Sequence, residues 1–276
     1  MVLRTTSVIA FLMCLSLPAG CTVDVDEGRP DDRARRLVWV NALAVANPDY
    51  RVIHEKIRRP ERRDSRSIDI QLEARWPIPG VTIPTRGRRD AVLTGTRPGG
   101  VEAPRLTSWR LTELLQGLGS GDGQKDVKEA ASQLEALKDA EVRVLVVIEF
   151  KKPLPERDVR IIWPYQIDVG LFSPGRPMPI SWDQSGYCDS RGFDACKLGI
   201  KDSLAKEFSE WVAMLTSADR TALDSFGLDL AELEESAQQG LYHGMIINAY
   251  PERVIPLTKL PEILSVKIAD VALAGQ

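Results

Sequence analysis

The chain has 276 residues, of which 43% are hydrophobic and 27% charged, enough for one or two domains with an apolar core. Its formal net charge of −3 excludes bulk attraction to nucleic acid. The charge is uneven: Cys21 to Arg110 holds 18 basic and 13 acidic residues (+5), Leu111 to Gln276 holds 17 and 26 (−9), and this asymmetry places a division near residue 105.

Arg4 precedes an uncharged, largely apolar run from Ser7 to Leu17. The run is too short for a bilayer core of about 30 Å and reads as a signal peptide over residues 1–20. It ends in Leu17-Pro18-Ala19-Gly20-Cys21. Small residues before a cysteine resemble a bacterial lipobox. That resemblance implies a lipidated Cys21 as the mature N-terminus and a lipoprotein held at the extracytoplasmic face of the cell membrane. The alternative is an ordinary secretory signal that leaves Cys21 unmodified. Residues 21–36 are polar and charged and read as a flexible tether.

Residues 37–105 read as a β-rich N-terminal region. Leu37 to Val45 is apolar enough for a strand, although LVWVNALAV can also start a short helix. Arg51 to Ile57 predicts a strand. Ile68, Ile70, Leu72, Ala74 and Trp76 alternate with polar residues, the pattern of a half-exposed strand. Between these two strands lies RRPERRDSR, where Arg58, Arg59, Arg62, Arg63 and Arg66 outweigh two acids for a net charge of +3. Such a loop can contact anionic lipid headgroups or an acidic partner, or can be a solvated hairpin tip. Pro77 to Pro104 is rich in proline and glycine and predicts loop, with at most one short strand from Ala91 to Thr96.

Residues 106–276 read as an α+β domain. Thr107 or Ser108 can cap a helix carrying Leu111, Leu114 and Leu115 and ending at Gly117. The connector GLGSGDG is followed by Gln124 and Lys125, so the glycine-lysine step of a phosphate-binding loop is absent. Asp126 to Ala140 is the next helix. In VRVLVVIEF, Val142, Val144, Val146, Ile148 and Phe150 share one face, while Leu145 and Val147 make the other face apolar as well. Pro153 and Pro155 open a short helix with Val159 and Ile162, and a strand from Tyr165 to Phe172 follows. Ser173 to Leu198 is a long irregular loop containing Trp182 and three aspartates whose spacing is not that of a calcium loop. Export and close spacing predict a disulfide between Cys188 and Cys196, worth about 2.5 kcal/mol by loop entropy. Leu204, Phe208, Trp211, Val212 and Leu215 form one stripe of a helix from Lys201 to Ser217. One or two further short helices end near Gly240.

The chain closes on a strand from Tyr242 to Tyr250 and a short helix carrying Val254, Leu257 and Leu260. A last strand follows, in which Leu264, Val266 and Ile268 alternate with Ser265, Lys267 and Ala269. Strands joined by a helical crossover lie parallel. Two such halves predict an α+β fold, a ferredoxin-like split βαβ layer with inserted helices. The stretches VLVVIEFKKPLPERDV, with Trp163, and YHGMIINAYPERVIPLTKLPEILSVKIADV resemble the C-terminal extracytoplasmic domain of bacterial sigma-factor regulators over roughly residues 140–273. The resemblance implies a sensing role outside the cell. That family carries a cytoplasmic segment and a membrane-spanning helix ahead of this domain. Here an export signal takes their place, so contact with a sigma factor does not carry over.

His54 lacks a second histidine at zincin spacing, His243 falls in a predicted strand, and GSGDG does not fit a nucleophile elbow. No catalytic residue, metal ligand or cofactor site is predicted. The leading reading is a membrane-tethered binding or sensing module that takes a small ligand or a protein partner. The alternatives are an envelope-associated hydrolase whose residues converge only in three dimensions, and a structural or inhibitor-like interaction protein. A concave pocket separates these readings from an exposed patch.

Overall fold

The computed structural model describes residues 30–53, 66–75, 88–96, 98–119, 122–174, 178–183 and 203–273. Cys21, the Cys188 and Cys196 pair, and Arg58, Arg59, Arg62 and Arg63 lie outside the described residues.

The first element is a helix, α1, Pro30–Ala46. It begins inside the stretch expected to be tether, with proline at its first position, where a missing backbone donor costs nothing. LVWVNALAV is therefore helical rather than extended. Val38, Trp39, Val40, Ala42, Leu43 and Val45 are all buried, so the second half of the helix is enclosed on nearly every side. A helix enclosed in this way shows no 3.6-residue period, which is why its sequence is ambiguous.

Four strands follow: β1 (Tyr50–Val52), β2 (Ser67–Ala74), β3 (Arg89–Gly95) and β4 (Val101–Glu102), an antiparallel sheet in the order β1-β2-β3-β4. The alternation in β2 holds: Ile68, Ile70 and Leu72 are buried, with Ile68 opposite Leu93 and Ile70 opposite Ala91.

The helices α2 (Arg110–Gln116) and α3 (Gly123–Leu137) lead into the second sheet. Neither Thr107 nor Ser108 caps α2, whose N-cap is Trp109. The cap comes instead from Asp49, whose Oδ2 accepts the Trp109 N–H at 2.9 Å and the Thr112 hydroxyl. The helix α3 starts three residues earlier than expected because the Asp122 side chain accepts from the Lys125 N–H.

The long strand β5 (Val142–Pro155) passes through α4 (Glu156–Ile162) to β6 (Val169–Leu171), which is shorter than its apolar pattern suggests. Then come β7 (Ser181–Trp182) and the helices α5 (Leu204–Val212), α6 (Arg220–Asp224) and α7 (Leu230–Gln239). The chain closes with β8 (Leu241–Ala249), α8 (Pro251–Val254), a 3-10 turn over Ile255–Lys259 and β9 (Ile263–Leu273). Pro256, which lacks a backbone donor, sits where the α-helix gives way to the 3-10 turn.

The second sheet has the order β7-β6-β8-β5-β9, with antiparallel neighbours throughout. β5 and β6 both run antiparallel to β8, and β8 and β9 both run antiparallel to β5. Each crossover therefore joins two parallel strands that flank a strand of the other unit. The molecule is α+β, and the two βαβ units share one sheet.

Both faces of this sheet are covered. On one, Val144, Val146, Ile148 and Phe150 join Val159, Val254 and Leu257 of the crossovers, Leu134 of α3, and Phe208 and Trp211 of α5. On the other, Leu145, Val147 and Ile246 pack under Leu111 and Leu115 of α2. Phe208 stacks on Phe172 at 4.9 Å between ring centres, and Trp182 stacks on Trp211 at 5.2 Å. The first face is continuous with α1 and the four-stranded sheet: Leu43, Ile70 and Leu93 belong to the same apolar core as Val146 and Ile247. The division suggested by charge near residue 105 crosses this core without interrupting it.

Candidate functional site

Three walls and the separate residue Arg66 enclose a cleft of about 560 Å³. Its walls are α1, the β3–β4 turn, and the segment from Met214 to Ala222 between α5 and α6. Trp39 on α1 lies against Gly95 at the end of β3. A Cβ at residue 95 would sit 2.7 Å from the Trp39 ring, so only glycine admits this approach. The turn is closed by the Thr96 N–H donating to the Gly100 carbonyl at 2.8 Å and the Gly99 N–H donating to the Thr96 carbonyl at 2.9 Å. The Val101 N–H donates to Ser225 Oγ at 3.1 Å and ties the hairpin to the end of α6. The third wall is fixed by Asp219, whose Oδ2 accepts the Thr216 N–H at 2.9 Å and the Thr216 hydroxyl at 2.8 Å.

Arg35 and Arg66 line this cleft and are exposed. Arg66 is held there by its backbone carbonyl, which accepts the Gly95 N–H at 2.9 Å. Val38, Trp39 and Met214 supply apolar surface. Among the described residues the arrangement is a concave mixture of apolar wall, glycine backbone, two guanidinium groups and the carboxylate of Asp219. Its volume falls in the range of small-ligand pockets, about 300–1,000 Å³. Of the five arginines singled out in sequence, Arg66 is the one among the described residues, and it faces this cleft.

A second polar group lies where the two sheets meet. Arg75, just past β2, pairs with Asp183, just past β7; the Asp183 side chain is buried and that of Arg75 largely so. Arg75 also donates from Nε to the Pro48 carbonyl at 2.8 Å and from Nη2 to the Tyr50 carbonyl at 3.2 Å. Asp168, ahead of β6, accepts the Asn248 N–H at 2.6 Å. Arg143 donates to the Asn248 carbonyl at 2.8 Å and lies over the Tyr250 ring. Burial pushes the Asp168 carboxyl above the usual range, and the Asn248 N–H and the charges of Arg75 and Arg143 offset this in part. These contacts fasten strand ends to one another, and the Arg75–Asp183 pair joins the four-stranded sheet to the five-stranded one.

His243 lies in β8, where burial lowers its pKa, and His54 lies outside the described residues. Of the three loop aspartates, Asp183 is the described one, and it is the partner of Arg75. Among the described residues, no group of three His, Cys, Asp or Glu side chains is placed to hold a metal ion. No described helix is long and apolar enough to cross a membrane. Searches among protein-family models, curated proteins and solved structures return no match to this chain.

Proposed function

We propose that this protein is an extracytoplasmic binding or sensing module, held at the cell membrane by a lipid on Cys21, whose ligand enters the cleft between α1, the β3–β4 turn and the Met214–Ala222 segment. The cleft itself carries the proposal: four distant stretches converge on one concave surface that presents guanidinium groups beside an aromatic wall. The apolar run ending in Ala19-Gly20-Cys21 supports the anchor. The interleaved βαβ order supports a ferredoxin-like domain, and the likeness of residues 140–273 to sigma-factor regulator ectodomains supports a sensing role.

Fractionation of cells producing the intact chain and a Cys21→Ser variant tests the anchor. The intact chain is expected in the membrane fraction and the variant in the soluble extracytoplasmic fraction. Equal partition of the two would remove the lipid from the proposal.

A further inference from the structure

We infer that the cleft takes a small zwitterion, an amino acid or short peptide with an apolar side chain, an inference that rests on the cleft being the ligand site proposed above. The cleft is layered by depth. Its floor is apolar: Val38 and Trp39 of α1 and Ala222 of α6 are buried, and Met214 is half-buried. Its rim is polar: Arg66, Thr96 and Thr216 are exposed, and Asp219 is half-buried. Two opposite charges on that rim are uncommitted. Among the described residues the Arg66 guanidinium makes no hydrogen bond or ion pair, and only the backbone carbonyl of Arg66 is engaged, by the Gly95 N–H at 2.9 Å. Asp219 takes both of its hydrogen bonds, from the N–H and the hydroxyl of Thr216, on Oδ2, which leaves Oδ1 open. Arg66 and Asp219 line the same cleft without pairing with each other. Arg35, the other cation of the cleft, already has a partner of its own and is not required.

An open cation and an open carboxylate oxygen above an apolar floor discriminate among ligands. A bare anion meets Arg66 but is repelled by Asp219, and it makes no use of the floor. A bare amine meets Asp219 but is repelled by the guanidinium groups. A neutral apolar solute fills the floor yet strips water from both charges and returns no hydrogen bond to either. A zwitterion with an apolar side chain answers all three surfaces. Its carboxylate accepts from the Arg66 guanidinium, whose planar fork matches two carboxylate oxygens. Its ammonium donates to Asp219 Oδ1. Its side chain descends onto Val38, Trp39 and Met214, where aromatic and thioether surfaces adapt to aliphatic or aromatic groups.

The test is calorimetric titration of the full mature chain, carrying Cys21→Ser for solubility, with five probes. These are phenylalanine, phenylalanyl-phenylalanine, N-acetylphenylalanine, which lacks the ammonium, phenylalanine amide, which lacks the carboxylate, and glycine, which lacks the side chain. Phenylalanine or the dipeptide is expected to bind, and the other three about tenfold more weakly or worse, the usual cost of one lost charged hydrogen bond. Whichever of the first two binds more tightly identifies the source as a free amino acid or a peptide. Arg66→Gln should abolish the preference for phenylalanine over its amide. Asp219→Asn, whose side-chain oxygen can still accept from Thr216, should abolish the preference over the acetylated form. A merely structural role for either residue would weaken all probes alike. Circular dichroism melts confirm that the variants fold. The inference is overturned if no probe binds, if the acetylated or amide form binds as tightly as phenylalanine, or if both preferences survive the two substitutions. Thr96→Trp, which fills the cleft without changing charge, keeps the two readings apart. Acetylated and free forms that bind equally and are both lost in Thr96→Trp would leave the cleft as a ligand site but not one for zwitterions. Binding untouched by Thr96→Trp would overturn the cleft as the ligand site, and this inference with it.

Discussion

The Arg75–Asp183 contact shows how much one buried pair is asked to do. Its two side chains are 11% and 7% exposed, and they lie just past strands of different sheets. Arg75→Ala would take the guanidinium away from the largely buried Asp183 carboxylate. Removing one partner of a buried pair costs up to about 3–5 kcal/mol, so urea denaturation should show a clear loss of stability, and an unchanged midpoint would contradict the pairing. Asp168 makes a second prediction, in the opposite sense. Burial raises its folded-state pKa above the unfolded value, so the folded chain holds the proton more tightly. The stability it contributes is complete below the unfolded carboxylate pKa of about 3.9 and is lost as pH rises through the higher folded value. Asp168→Asn cannot ionise, and its side-chain oxygen can still accept the Asn248 N–H. The variant should melt higher than the parent at pH 7 and no higher at pH 3. Identical melting curves at both pH values would mean that burial of Asp168 has no net cost.

At the scale of elements, sequence and structure agree where one face of an element is buried and the other is wet. The stripe of α5 and the alternation of β2 are of this kind, and Phe208, Trp211, Ile70 and Leu72 fall where their spacing places them. The second half of α1 was ambiguous because almost no face of it is wet. The cap of α2 could not be read locally, since Asp49 lies 60 residues before Trp109. The cleft was invisible for the same reason: its residues come from positions 35–39, 66, 95–100 and 214–222, and no window of sequence holds two of its walls. Two changes test these elements. Asp49→Ala removes the cap together with the partner of Thr112 and should cost about 1–2 kcal/mol, a midpoint shift readable by urea denaturation. Gly244→Ala would place a Cβ 2.3 Å from the Ile148 carbonyl oxygen in the neighbouring strand, so β5 and β8 could not keep their register. Its circular dichroism melt should be broadened or absent, and a parent-like melt would show that the backbones are not that close.

Charge alone would cut the molecule near residue 105, but packing does not. Leu43, Ile70 and Leu93 on one side of that point share an apolar core with Val146, Ile247 and Trp211 on the other. Polar ties follow the same route: Ser181 Oγ donates to the Val45 carbonyl at 3.2 Å, and Val101 N–H to Ser225 Oγ. The two faces of the five-stranded sheet also depend on each other. Ile246 is buried on the face under α2 and Val266 on the face toward α3 and α5, so an aspartate at either position would bury an unpaired charge and prevent stable folding. Lys267 lies on the face under α2, only part-exposed, with Nζ 3.4 Å from Asp126. Lys267→Asp would set two carboxylates together there. It should cost stability measurably, yet less than Val266→Asp, because water still reaches that site. If the core is continuous, the whole chain must fold as one unit. Urea denaturation followed by tryptophan fluorescence and by far-ultraviolet circular dichroism should then give coincident transitions. Residues 106–276 produced alone would leave Phe208, Trp211 and Trp182 without the cover of α1 and the first sheet, and should bind a hydrophobic dye and lack a cooperative melt. A cooperative melt of that fragment at the temperature of the full chain would establish two independent cores, and the cleft would then lie between domains free to move apart.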